Sequence, residues 1–320
     1  MSLNRFTLQT RRPIFYPMQP VSRSLRNVFS TSRLWLWVST LVFLGGCAMI
    51  ETKQSEWIFR PVRDNWRGYQ GLPAGVQEVW LKVPGLQTSA ADEKIHAWWA
   101  PQADPSAPVM LYLHGSRWNL TGSSFRIERW REMGFSVLAI DYRGFGQSSG
   151  DSPTEAGAYE DAAIAWNWLK AKVPDGAQRY IYGHSLGGAV AIDLASRLKD
   201  DEAAGLIMEA TFTSVPDVVS ASKYGWIPLG FLITQRFASF EKIGKVTLPK
   251  LFLHGTADNI VPHEMSDELF KLAIEPKRLI KFEGASHSGI TWTAPRELAE
   301  YVKEFVAATK QRITNSAAVK

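Results

Sequence analysis

The chain has almost no cysteine: Cys47 is the single one in 320 residues. An internal disulfide is excluded, so a packed core must hold the fold. A basic surplus is also missing where a nucleic-acid binder would need it. The formal charge is +5, but six arginines lie in residues 1–46, a stretch with no lysine and no acidic residue. Over residues 47–320, 30 basic residues face 31 acidic ones. That balance offers no cationic footprint for a phosphate backbone, and a nucleic-acid partner is not expected. There is no internal repeat and no low-complexity segment, which argues against a repeat array. What remains is ample apolar material. Hydrophobic residues make up 45% of the chain, enough for one large α/β domain or two small ones.

The first 46 residues read as a leader. Residues 1–33 are basic and polar, residues 34–44 are mostly apolar, and Gly45-Gly46-Cys47 follow. That order is the pattern of a secretory signal. The segment Leu44-Gly45-Gly46-Cys47 resembles a bacterial lipobox. The resemblance implies cleavage before Cys47 and a lipid on its sulfur. A soluble domain would then be tethered to a membrane without spanning it. Ala48 after the cysteine favours the outer membrane of the envelope under the same sorting rule. The alternative is an uncleaved inner-membrane anchor, since Leu34 to Ile50 spans 17 residues, the short edge of a transmembrane helix. The expected organisation is a signal peptide at 1–46, a tether and irregular lead-in at 47–76, a main domain at 77–310 and a C-terminal tail at 311–320.

Within the main domain, apolar runs alternate with amphipathic ones. Expected strands are Glu78–Val83, Ile95–Ala100, Val109–His114, Ser136–Asp141, Arg179–Gly183, Gly205–Glu209, Lys250–His254 and Arg278–Phe282. Expected helices are Ser123–Met133, Thr154–Ala171, Gly188–Lys199, Glu264–Leu272 and Pro295–Ala308. From Val109 onward each strand is followed by a helix, which predicts a mostly parallel eight-stranded α/β sheet covered on both faces. The first two strands have no helix between them and are expected to pair antiparallel at one edge. An insertion at 211–248, rich in Phe, Trp, Val and Leu, reads either as extra core or as a short lid whose apolar face lines an acyl pocket.

The chemistry concentrates in Gly183-His184-Ser185-Leu186-Gly187-Gly188. It sits between an expected strand and an expected helix. Glycines around such a serine allow a strained turn that lifts the hydroxyl above the sheet. A serine hydroxyl is a weak nucleophile alone, so a base and an orienting acid must follow. Asp258 follows the seventh strand, in Leu-His-Gly-Thr-Ala-Asp, and His287 follows the eighth. The order is Ser185, Asp258, His287. Of the other histidines, His114 and His254 end strands in Leu-His-Gly and read as loop-shaping groups. His184 reads as turned away from the nucleophile, His96 has no evident partner, and His263 reads as exposed. Glu209, which ends the sixth strand, is the competing acid.

Together with Leu113-His114-Gly115 and Asp141-Tyr142-Arg143-Gly144-Phe145-Gly146-Gln147-Ser148, these motifs resemble the α/β-hydrolase superfamily. They are most similar to its branch of esterases, acylglycerol lipases and acyl-protein thioesterases. The resemblance covers about residues 78–308. It implies Ser185 as nucleophile, His287 as general base, Asp258 as its partner, and backbone N–H groups of Ser116 and Leu186 as the oxyanion hole. It implies hydrolysis of a small acyl ester, a lipid-like ester or a thioester, with no metal or organic cofactor. Two alternatives stay open. One is a peptidase or amidase in which Glu209 binds a substrate amine. The other is a catalytically idle envelope scaffold.

Overall fold

The computed structural model describes residues 52–84, 93–223, 225–226 and 230–318. The leader and Cys47 lie outside the described residues. Eight strands form one sheet: β1 (Gln77–Lys82), β2 (Lys94–Ala100), β3 (Val109–Leu113), β4 (Ser136–Ile140), β5 (Arg179–His184), β6 (Gly205–Glu209), β7 (Lys250–Gly255) and β8 (Lys277–Phe282). Their order across the sheet is β1-β2-β4-β3-β5-β6-β7-β8. β2 pairs antiparallel with β1 and β4, and every other pairing is parallel.

Burial explains the pattern of residue types. Strands β3 to β7 are buried at every position, as parallel strands covered on both faces must be. The two edge strands differ. β1 carries Gln77, Glu78 and Lys82, and β8 carries Lys277, Arg278 and Lys281. Charges on an edge oppose pairing with another chain.

The helices are α1 (52–59), α2 (Leu120–Glu132), α3 (Glu155–Lys172), α4 (Leu186–Ala195), α5 (Val215–Ala221), α6 (Glu264–Leu272), α7 (Ile290–Thr293) and α8 (Pro295–Ala318). Side chains alternate across the sheet with the period of two that strands impose. Leu111 and Leu113 pack with α3, α4 and α6, whereas Met110 and Tyr112 pack with α2 and α8. The chain leaves β3 through α2 toward β4 on one side, and leaves β5 through α4 on the opposite face toward β6. The loops after β3 and β5 therefore part, and a crevice opens at their carboxyl ends, the place where open α/β sheets hold ligands.

Three expectations need correction. Helix α2 starts at Leu120 rather than Ser123, because the Asn119 side chain accepts from Gly122 N and the Asp141 carboxylate accepts from Leu120 N. Both satisfy orphan donors of a helix start. The C-terminal helix does not stop near 308 and leave a tail at 311: it runs to Ala318. Thr309 bonds the buried Tyr180 hydroxyl at 2.6 Å, and Ile313 packs on the core, so helix is favoured past the expected end. Finally, residues 52–76 are not an irregular lead-in outside the domain. The described residues from 52 onward belong to one compact unit. Phe59 on α1 is fully buried and meets Phe145 and Phe237 edge-on. Within the 211–248 insertion, Phe237, Ile243, Val246 and Leu248 join the core, while Phe231 stands 82% exposed.

Candidate active site

Ser185 lies between β5 and α4 with φ 55° and ψ −119°. A non-glycine residue holds such angles only where its surroundings impose them. Two glycines make the turn possible. A side chain at Gly183 would run into the Gly187 carbonyl, and one at Gly187 would run into the Leu113 carbonyl of the neighbouring strand. The N–H of Ser185 donates to the Glu209 carbonyl at 2.8 Å, which ties the turn to β6.

His287, from the loop after β8, accepts from the Ser185 hydroxyl through Nε2 at 3.0 Å and donates through Nδ1 to Asp258 Oδ2 at 2.7 Å. The Asp258 side chain has no exposed area. Its Oδ1 accepts from the N–H groups of Ile260 and Val261, each at 2.9 Å, and its Oδ2 also accepts from His254 Nε2 at 3.1 Å. Burial alone would raise this carboxyl. The hydrogen bonds from His254 and His287 outweigh it and hold Asp258 well below the usual carboxylate range. Three side chains from 29 to 102 residues apart in sequence thus meet in one hydrogen-bonded chain.

Ser116 and Leu186 border the same cleft as Ser185. Leu186 opens α4, where a backbone N–H has no partner inside the helix. Among the described residues, neither its N–H nor that of Ser116 donates to a protein acceptor.

The remaining histidines sort by geometry. His114 Nδ1 donates to the Gly115 carbonyl at 2.7 Å and shapes its loop as expected. His254 accepts from Ser266 at 2.6 Å and orients Asp258. His184 is not turned away. Its Nε2 lies 3.0 Å from the His287 carbonyl, which can only accept, so that nitrogen carries the hydrogen. Burial first, then the nearby Arg126 and His287, hold its pKa well below the usual value, and the ring stays neutral. His96 does have a partner, Glu78 at 3.1 Å, and lies against Trp80 across the β1–β2 pairing. His263 is half-buried beside Lys281 rather than free.

Glu209 neither reaches His287 nor faces a ligand. It is 1% exposed, accepts from Arg126 Nη1 at 2.6 Å and from the Tyr182 hydroxyl at 2.6 Å. Its role as a binder of a substrate amine is therefore overturned: the carboxylate is sealed beneath the site by its own cation. Arg126 was not legible as part of this region. It sits among four charged residues of α2, and only the helix phase turns it inward. Its second nitrogen donates to the Ser288 carbonyl at 3.0 Å, next to His287.

The cleft above Ser185 measures about 480 Å³, within the usual range of small-molecule sites. Ile58, Phe212, Val215, Val219 and Val261 give it apolar walls, and Arg60 and Arg117 stand at its rim.

Comparison with known proteins agrees with this architecture. The serine aminopeptidase S33 family model matches residues 104–239. A protein of Mycobacterium tuberculosis named as uncharacterized is 33% identical over 243 residues, covering 74% of this chain and 81% of that protein. The lysophosphatidylserine lipase of Danio rerio is 33% identical over 218 residues, 63% of this chain, and the match spans 56% of that lipase's length. An alpha-beta hydrolase structure from Vibrio vulnificus superposes with a TM-score of 0.64 at 21% identity, covering 80% of this chain and 92% of that one. The chain belongs to the α/β-hydrolase superfamily. A lipase is among its relatives, matched over 56% of that protein's length.

Proposed function

We propose that the protein is a serine hydrolase that cleaves a carboxylic ester or thioester through an acyl-enzyme. The observation that carries the reading is the unbroken Ser185–His287–Asp258 chain, at 3.0 and 2.7 Å. In the proposed reaction, Ser185 Oγ attacks the acyl carbonyl while His287 Nε2 takes its proton. Asp258 steadies the imidazolium that forms. The oxyanion is met by the N–H groups of Leu186 and Ser116, each donor contributing roughly 3 kcal/mol to the transition state. His287 then protonates the leaving alcohol or thiol, and water, deprotonated by the same ring, releases the acid. The lipase among the relatives supports an ester or lipid substrate. We read the apolar part of 211–248 as a lid over the acyl arm, since Phe212, Val215, Val218 and Val219 line the cleft. An amide reading loses the amine-binding carboxylate expected for it, because Glu209 is buried on Arg126.

A fluorophosphonate probe tests the reading: wild-type protein should label and Ser185→Ala should not. Equal labelling of both removes Ser185 as nucleophile. Rates over p-nitrophenyl esters of increasing length would then measure the acyl arm. We further propose that residues 1–46 are removed and that lipidated Cys47 tethers the domain to the envelope, at the outer membrane. Cys47→Ser should move the protein to the soluble fraction; retention in membranes would favour an uncleaved inner-membrane anchor.

A further inference from the structure

The charges around the cleft are one-sided. Among the described residues, its lining contains Arg60 and Arg117 and not one aspartate or glutamate. Both side chains are exposed, and among the described residues neither guanidinium makes an ion pair or a hydrogen bond. The backbone segments that carry them are tied together. Arg117 N donates to the carbonyl of Phe59 at 2.8 Å, which joins the turn after α1 to the loop after β3. Each arginine has a left-handed backbone, φ 49° at Arg60 and 70° at Arg117. Arg117 directly follows Ser116, so its charge stands next to a proposed oxyanion donor. Phe212, Val215, Val218, Val219 and Val261 line the cleft with apolar side chains.

We propose that Arg60 and Arg117 form an anion subsite that selects esters whose alcohol portion bears a phosphate or another anionic group, with the acyl chain on the apolar wall. The inference rests on the ester-hydrolase reading above. A guanidinium pair suits a phosphate because its planar donors can bind oxygens in parallel. With no carboxylate among the described lining residues, such a ligand meets two opposite charges, whereas a cationic amine meets two like ones.

The test uses the full-length protein in neutral detergent micelles and two substrates that differ in one group. One is a monoacylglycerol; the other is the same compound with a phosphate on the glycerol. Wild-type protein should prefer the phosphate-bearing ester at least tenfold in kcat/KM. Arg60→Asn and Arg117→Asn should each lower that ratio severalfold, and the double variant should bring it near one. Asparagine tolerates the left-handed backbone, so these variants remove charge without refusing the turn. Arg117→Lys should keep most of the preference. Inorganic phosphate should inhibit the wild type competitively and the double variant not at all if the subsite reads phosphate itself. Preference that follows only the charge of added anionic detergent, in wild type and double variant alike, overturns the subsite. A ratio near one in wild-type protein that still cleaves p-nitrophenyl butyrate through Ser185 overturns this inference alone. Failure to cleave any of these esters overturns the ester-hydrolase reading, and the subsite falls with it.

Discussion

Arg126 is the most exacting place to perturb the molecule. Its side chain is 6% exposed and that of Glu209 is 1% exposed. Burial works against the charge on the guanidinium, and the facing Glu209 carboxylate more than restores it. Arg126→Met removes one partner and leaves a carboxylate in the interior with only the Tyr182 hydroxyl and no cation. Breaking a buried pair in this way costs about 3–5 kcal/mol, or, at about 2 °C per kcal/mol for a domain of this size, a fall in Tm of about 6–10 °C. Glu209→Gln should fall by a similar amount, since it strands the arginine. The double variant Arg126→Met/Glu209→Gln leaves no unpaired charge, so it should recover at least half of the single-variant loss. Differential scanning calorimetry of the four proteins reads this cycle directly. Because Arg126 also holds the Ser288 carbonyl, kcat on a short ester should stay depressed in the double variant even as Tm returns. If the two single losses simply add in the double variant, the charges are not coupled and the argument fails.

Other outcomes follow from the same geometry. Asp258→Asn should lower kcat by about a thousandfold or more, since the amide cannot stabilise the imidazolium; an effect on KM alone would contradict the role given to the acid. The folded-state carboxyl of Asp258 is held below its unfolded value, so its contribution to stability is present above about pH 4 and lost as pH falls further. The Tm gap between wild type and Asp258→Asn should therefore narrow on acidification from pH 5 to pH 2.5; a gap that widens would reverse the sign. Gly187→Ala places a methyl against the Leu113 carbonyl, and it should abolish probe labelling at Ser185, whereas Gly284→Ala, with open space around it, should only lower Tm slightly. His184→Phe removes the hydrogen bond to the His287 carbonyl, and it should lower kcat with little change in KM, measured on a soluble ester.

Local pattern was enough for the sheet and for the identity of the three central side chains. Fully apolar runs such as Val-Met-Leu-Tyr-Leu have no stable place except between two layers of helices, and each of the eight expected strands is present. Glycines around Ser185 speak for the turn because backbone strain is a property of neighbouring residues. Likewise, Asp258 and His287 are readable because each lies in the loop that leaves a strand's end. Contacts between distant segments were not readable. Phe59 enters the core through its ring against Phe145 and Phe237, Arg126 is turned toward Glu209 by helix phase, and the segment of Arg60 is joined to that of Arg117 by the backbone hydrogen bond from Arg117 to Phe59. Each depends on how crossovers fold the chain back on itself, and side-chain spacing along the polymer carries no record of that. The polymer order thus settled which elements form and which groups end them, while packing alone decided who faces whom: burial makes an unpaired charge so costly that Arg126 and Glu209 must meet, and leaves the rim arginines free for solvent or ligand.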